Sequence, residues 1–189
     1  MSLAVRAVFS LACAFVPIGL FAPAGALDVG DDAPQVGRST LDGRFVGFAD
    51  WYGSGGDRPV TIVTFFAKWC ECCRKEAPEL SRIAHDFGPS GLRLVAIGLG
   101  MDRKESADFA REHYGWRQGD SALYVVPDRH QALGELFGVA DAQEGNAHLP
   151  QSFVIGRNRK ILLRLRGFEK SDIERIETIV KRAVSTDAR

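Results

Sequence analysis

The stretch that decides the fold is VTIVTFFAKWCECCRKEAPEL, residues 60–80. Its first part, Val60–Phe66, is β-branched or aromatic throughout, which is typical of a strand buried on both faces. From Glu71 to Phe87 the pattern predicts a helix, which we expect Pro78 to kink or restart. The junction between strand and helix holds three cysteines, so the sequence predicts a cluster of sulfur atoms at a helix start.

The spacing of these cysteines indicates a reactive thiol site rather than a disulfide that only stabilises the fold. A stapled secreted domain spreads its cysteines along the chain, whereas Cys70, Cys72 and Cys73 are clustered. Residues i and i+3 share a helix face, so the sulfurs of Cys70 and Cys73 can meet. A helix N-terminus favours the thiolate of Cys70, an effect that the carboxylate of Glu71 opposes in part. Cys73, one turn further in, is expected to be more buried and to act as the resolving thiol.

The rest of the chain alternates strands and helices. After a turn at Asp42–Gly43 and an early strand, the pattern predicts strands at 92–99 and 122–126, helices at 104–114 and 131–137, and a hairpin that turns at 156–158. The last helix, residues 171–184, is amphipathic, with Ser171 as its N-cap and Glu174 completing a capping box. This order predicts an α/β fold with a mixed central β-sheet and helices on both faces.

The length of the chain fits one domain, and its charge pattern predicts no basic surface of the kind that binds nucleic acid. The chain has 189 residues, with 24 basic and 24 acidic side chains and no basic block. Residues 1–26 have the three-part pattern of a secretory signal, with small residues suited to cleavage after Ala26. We therefore predict a signal peptide at 1–26, a single domain at 27–189, and a periplasmic monomer with no nucleic-acid partner. An uncleaved membrane anchor is the alternative for the N-terminus.

Several motifs, in the right order, resemble one family. The segment TFFAKWCECCRKEAPEL, with VGDDAP at residues 29–34 and LPQSFVIGRNRKILLRLRGF at 149–168, is similar to exported TlpA/ResA-type thiol–disulfide oxidoreductases. The resemblance covers residues 28–184 and implies a thioredoxin-like fold. The pattern of proline and threonine ahead of a peroxidatic cysteine is missing, so we do not expect peroxidase activity.

The resemblance implies roles for individual residues. It implies that Cys70 is the catalytic nucleophile that forms a mixed disulfide with a substrate, and that Cys73 resolves this intermediate. Trp69 then packs beside the site, while Leu149 and a cis-Pro150 present backbone to an extended substrate segment.

The chain departs from the family where a proton has to move to or from the inner cysteine. Family members often hold an acidic residue just after the strand that ends here at Leu99, and Asp102 is the only candidate. Thioredoxin has a buried aspartate six residues before its first cysteine, where this chain has Thr64. The group that serves Cys73 is therefore left open.

The residue between the paired cysteines is a further departure. Cys72 lies about 200° round a helix from Cys70, so it is expected to point away from a Cys70–Cys73 bridge. It is a passive small residue, the site of a second mixed disulfide, or a ligand of copper(I) together with Cys70, Cys73 and His148. The C-x-x-x-C spacing of Sco-type copper proteins is absent, so we predict no dedicated metal site.

The function expected from these features is disulfide exchange with no cofactor beyond the Cys70–Cys73 pair. The leading hypothesis is an exported reductase for a specific disulfide-containing client, of the cytochrome c maturation or copper-site assembly type. A membrane thiol reductase would act as the electron donor. The alternatives are a periplasmic dithiol oxidant and a copper(I) carrier with the same fold. We expect the segment Asp141–His148, just before Pro150, to contribute to client selection.

Overall fold

The centre of the molecule is a five-stranded mixed sheet. A computed structural model of the chain describes residues 26–47, 60–140 and 147–185. The strand order is β5-β4-β3-β6-β7, with β3, β4 and β5 parallel and β6 and β7 antiparallel to their neighbours. The strands of this sheet are β3 (Val60–Phe66), β4 (Leu92–Leu99), β5 (Leu123–Asp128), β6 (Gln151–Ile155) and β7 (Ile161–Arg166). A separate ribbon pairs β1 (Arg38–Ser39) with β2 (Phe45–Val46).

Helices cover both faces of the sheet. They are α1 (Glu71–Phe87), α2 (Arg103–Phe109) with a π-helical continuation (Ala110–Tyr114), α3 (Ala132–Leu136) and α4 (Lys170–Ser185). One apolar cluster joins the sheet to α1, α4 and the π-helical turn, and a second joins it to α3 and the segment before β2. The predicted thioredoxin-like α/β architecture is confirmed. No helix within the described ranges combines the length and the apolar character needed to cross a bilayer.

Strand β3 shows why the sequence folds in this way. All seven of its residues are buried, because helices cover the sheet on both sides. Side chains alternate between the faces, so Ile62 and Phe66 lie in the α1 cluster while Val63 and Phe65 lie in the α3 cluster. Burial of each such side chain contributes about 1.5–3 kcal/mol. The same alternation places Thr64 on the α1 side, where it faces the catalytic helix.

Three details differ from the sequence prediction. Helix α1 is not interrupted at Pro78, which lies inside a continuous helix where its missing N–H removes only one bond. Helix α4 begins at Lys170 rather than after Ser171, since the Asp172 carboxylate accepts the N–H of Glu169 at 3.0 Å. The early strand is only two residues long. The predicted signal peptide before Ala26 and the segment 141–146 lie outside the described residues.

Candidate active site

The two outer cysteines of the cluster are joined at the start of α1. The Cys70–Cys73 disulfide has an S–S distance of 2.05 Å and a Cα–Cα distance of 5.3 Å. Cys70 is the N-cap, and its Sγ accepts the backbone N–H of Cys73 at 3.1 Å. Both residues are buried, at 4% exposure for Cys70 and 0% for Cys73. The predicted order of burial holds, and the Cys73 N–H that donates to the sulfur of Cys70 is placed to stabilise a thiolate there.

The sheet register brings a proline segment to this end of the molecule. Phe65 at the end of β3 is paired with Gln151 at the start of β6, so Pro150 lies at the sheet edge from which Cys70 emerges. The peptide bond between Leu149 and Pro150 is cis, as the resemblance implies. The carbonyl of Pro150 accepts the N–H of Gly167 at 2.8 Å, which ties this segment to the end of β7.

An exposed tryptophan stands beside the disulfide. Trp69 is 62% exposed, although large apolar side chains are usually covered. It lines two grooves, which also share Ala147. One groove is lined also by Ala147, His148, Leu149, Arg166 and Gly167. The other is lined by Ala67, Lys68, Leu99, Gly100, Met101, Gln131 and Ala147. An exposed aromatic ring between two grooves is suited to docking a polypeptide segment.

A buried acid lies behind the disulfide, and the sequence analysis gave it no role. Glu76 is 1% exposed and comes three residues after Cys73, so the two side chains share one face of α1. Its Oε1 accepts the hydroxyl of Ser152 at 2.8 Å, and its Oε2 accepts that of Thr64 at 3.2 Å. Burial raises the pKa of Glu76 to about 7, although the two hydroxyl bonds act in the opposite direction.

A signal for Glu76 was nevertheless present in the sequence. Its helix buries a stripe formed by Cys73, Ala77, Leu80, Ile83 and Ala84, and Glu76 falls within that stripe. A carboxylate on the apolar face of a helix has to be paired, hydrogen-bonded or neutral, and such groups cluster at functional sites. The sequence does not show which residues hydrogen-bond to it.

Similarity to known proteins agrees with this geometry. A sequence model of the AhpC/TSA family matches residues 29–164. The chain belongs to that family. Its curated relatives include the thiol-disulfide oxidoreductase ResA of Bacillus cereus, 23% identical over 87% of this chain and 83% of the relative. The ResA of Geobacillus thermodenitrificans is 27% identical over 79% of this chain and 76% of the relative.

Solved structures of the same kind of enzyme superpose on this family member. A thiol:disulfide interchange protein DsbE from Chlorobium tepidum is 27% identical, with a TM-score of 0.67 over 84% of this chain and 99% of that one. A secreted Mycobacterium tuberculosis disulfide oxidoreductase shares the fold at 16% identity, with a TM-score of 0.58 over 78% of this chain and 96% of that one. Together with the Cys70–Cys73 disulfide, these likenesses make the protein a thiol–disulfide oxidoreductase of the ResA/DsbE type.

The charged side chains around the disulfide are engaged with one another. Glu71 forms an ion pair with Arg74, whose guanidinium also donates to the carbonyl of Lys68 at 2.7 Å. The ammonium of Lys68 in turn lies 2.6 Å from the carboxylate of Glu105. This hydrogen bond raises the pKa of Lys68 and lowers that of Glu105. Lys68 and Arg74 therefore each have a counter-charge.

Asp102 has a structural contact instead of one with the cysteines. Its carboxylate accepts the N–H of Glu105 at 2.9 Å, while the Glu105 side chain accepts the N–H of Asp102 at 3.2 Å. This reciprocal pair is a capping box at the start of α2. The hydrogen bonds described for the Asp102 carboxylate lie within this box, whereas Glu76 follows the inner cysteine by one turn of α1.

Cys72 and His148 are both exposed. Cys72 is a free thiol that is exposed to solvent. His148 lines the groove between Trp69 and Arg166. Among residues 26–47, 60–140 and 147–185, no three histidine, cysteine or acidic side chains gather as a metal site. The copper(I) hypothesis stays a prediction, since it concerns thiolates and the structure shows the disulfide form.

Proposed function

We propose that this protein reduces the disulfides of a client protein outside the cytoplasm. The observation that carries the proposal is the Cys70–Cys73 disulfide, which directly follows the exposed Trp69 and lies at the same edge of the sheet as the cis-Pro150 segment. A reducible pair at a helix start, next to an apolar docking surface, is what exchange with a polypeptide requires. Export is supported by the signal-like residues 1–26.

The reaction begins from the reduced protein. The thiolate of Cys70 attacks one sulfur of a client disulfide, so a Cys70–client bond forms, the client bond breaks and a client thiolate leaves. The thiol of Cys73 gives its proton to the carboxylate of Glu76, and the resulting thiolate attacks the sulfur of Cys70. The Cys70–Cys73 bond forms and the second client thiolate leaves. The client gains two electrons, and one proton remains on Glu76.

The docking surface for the client is the groove that contains Trp69 and Leu149. An extended client segment would lie against the backbone on either side of Pro150, with its disulfide over Cys70. The resemblance to TlpA/ResA-type enzymes points to apocytochrome c haem-attachment cysteines or the cysteines of a copper site as clients. A membrane thiol reductase would return the two electrons after each turnover.

The arrangement of charges supports reduction rather than oxidation. A strongly oxidising dithiol owes its potential to a stabilised thiolate, as in DsbA. Here Lys68 and Arg74, two cations near Cys70, are paired with Glu105 and Glu71, which offsets their charges. The N–H of Cys73 and the helix terminus are the groups that support the Cys70 thiolate in this proposal. A less stabilised thiolate corresponds to a more reducing pair.

The proposal is tested by trapping the mixed disulfide. Cys73→Ser removes the resolving thiol, so this variant should accumulate covalent complexes with client proteins when it is produced in an exporting bacterium. Dithiothreitol should release the client proteins by reducing the mixed disulfide. The matched Cys70→Ser variant should form no such complexes. Equal trapping by both variants, or trapping through Cys72 alone, would contradict the assignment of Cys70 as the nucleophile.

A further inference from the structure

Three oxygen-bearing side chains form a closed ring about one helical turn beyond Cys73. The hydroxyl oxygen of Ser152 lies 2.8 Å from Oε1 of Glu76 and 2.9 Å from Oγ1 of Thr64. The hydroxyl of Thr64 closes the ring at 3.2 Å from Oε2 of Glu76. All three residues are buried, and they come from three different elements, α1, β3 and β6. The ring therefore contains three oxygen–oxygen contacts of hydrogen-bond length.

The number of protons that this ring needs depends on the state of Glu76. Each hydroxyl carries one proton, so Ser152 and Thr64 together supply two for three contacts. If Glu76 is a carboxylic acid, its own proton is the third, and the bonds run head to tail round the ring. If Glu76 is a carboxylate, both hydroxyls can donate to it, but the 2.9 Å contact between them then lacks a proton. Both states are accommodated, and only the acid satisfies every contact.

We propose that Ser152 is the positioning residue of this ring: by donating to Glu76 it keeps the carboxyl group able to accept and release the proton that Cys73 exchanges. The inference rests on the proposed function, and it places a proton on the carboxyl group of Glu76 in the disulfide form of the protein. A general acid–base group works best when its two protonation states are close in free energy at the operating pH. The carboxylate of Glu76 is stabilised by two hydroxyl donors, and the carboxylic acid is stabilised by a complete ring of hydrogen bonds. The two protonation states are therefore close in free energy.

The other titratable and charged groups facing Glu76 do not disturb this assignment. On its own helix the neighbour is Cys73, which is held in the disulfide. Tyr114 lies in the π-helical turn, where burial, and then the charge of Glu76, raise its pKa well above the ordinary value, so it stays neutral. Asp172 on α4 is an acid whose charge also raises the pKa of Glu76. The interactions described for Glu76 include no cationic side chain, so a hydroxyl ring is what stabilises its carboxylate.

Infrared spectroscopy of the oxidised protein gives a direct test. The carbonyl stretch of a protonated carboxyl group, isolated as the difference between wild type and Glu76→Gln, should be present at acid pH and disappear with a midpoint near 7. Ser152→Ala removes a charge-assisted donor to the carboxylate, so the midpoint should rise by about 1–2 pH units. Ser152→Thr keeps the hydroxyl and should restore the wild-type midpoint. Ser106→Ala removes a buried hydroxyl outside the ring and should leave the midpoint unchanged.

Kinetics supply a second readout that general destabilisation would not produce. In single-turnover client reduction, the measured step is the attack of Cys73 on the mixed disulfide. Its pH profile should move to higher pH in Ser152→Ala by the same amount as the infrared midpoint. An absent carboxyl band at pH 5, or a midpoint that Ser152→Ala leaves unchanged or lowers, would overturn the ring. If the band and its shift are found but no client is reduced, the proposed function fails while the ring stands.

Discussion

The fold opposes the ionisation of Glu76. Its pKa rises from an ordinary 4.5 to about 7, with burial as the largest cause. Because the native state binds its proton more tightly than the unfolded chain does, the native state is favoured in acid. That contribution is complete below pH 4.5 and is lost as the pH rises to about 7.

A Glu76→Gln variant should separate this effect from the rest of the stability profile. Glutamine imitates the neutral acid, because its amide group can donate to Ser152 and accept from Thr64. We expect equal stability of variant and wild type near pH 4.5, and a variant more stable by about 3 kcal/mol at pH 8. Urea unfolding of the oxidised proteins at both pH values measures the difference.

The control for this comparison is Glu79→Gln on the same helix. Glu79 is partly exposed, and its partner Arg82 keeps ion pairs with Asp86 and Glu177 when Glu79 is replaced. Its substitution should change stability by well under 1 kcal/mol at either pH. If Glu76→Gln shows the same small, pH-independent change as Glu79→Gln, the native protein does not retain the Glu76 proton.

Sequence reasoning succeeded at the residues whose chemistry is local. The i, i+3 spacing predicted that Cys70 and Cys73 could meet, and the resemblance predicted a cis bond before Pro150. It missed Glu76 because the partners of that acid are distant, with Ser152 lying 76 positions further along the chain. In thioredoxin the buried carboxylate belongs to the strand. Here the strand supplies Thr64 and the helix supplies the acid, an exchange that only the packing of α1 on β3 reveals.

At the scale of elements, the hydrophobic pattern was the reliable guide. The buried runs of β3 and β4 gave both strands their correct bounds, and the 3.6-residue period gave those of α1. The start of α4 was predicted less accurately, because two competing caps lie two residues apart. Glu169 and Asp172 begin α4 where Ser171 and Glu174 were predicted to do so. A two-residue error in the position of a cap does not change which face of the helix is buried.

The loop between β3 and α1 presents Trp69 to solvent, and its removal should weaken client recognition. Trp69→Ala deletes the aromatic wall shared by the two grooves. We expect kcat/KM for a protein disulfide to fall about tenfold, a typical loss for a buried aromatic contact in an interface. The rate of reaction with dithiothreitol should stay within about twofold, because a small thiol does not use the grooves.

Phe45→Ala is the matched control for the tryptophan. Phe45 is 71% exposed, lies on β2, and lines neither of the two grooves. Its loss should leave the rates with both substrates unchanged. Equal losses with the protein substrate and with dithiothreitol in Trp69→Ala would instead mean that the tryptophan acts on the disulfide itself and not on client docking.

On the scale of the whole molecule, the sheet topology explains why the disulfide, the grooves and Pro150 lie near one another. The parallel strands β3, β4 and β5 end at one edge of the sheet, and the antiparallel β6 begins there. Loops at this edge carry the disulfide, the second groove and Pro150, in agreement with the rule that α/β sheets bind ligands at the carboxyl ends of their parallel strands. The alternation of strands and helices predicted the layers. The strand order is a long-range property, and only the resemblance to a known fold implied it.

The reduction potential depends on all of these features, and substitutions in the ion pairs near the disulfide should change it. For residues 27–189 titrated in thiol redox buffers and followed by tryptophan fluorescence, we expect a value near that of thioredoxin, about −270 mV. Glu105→Gln would release Lys68 from its ion pair. The freed cation would stabilise the Cys70 thiolate and move the potential to less negative values, an effect that added salt should reduce. Glu112→Gln, on the π-helical turn, is the control and should leave the potential unchanged. A wild-type value near that of DsbA, about −120 mV, would make the protein an oxidant and contradict the proposed direction of electron flow.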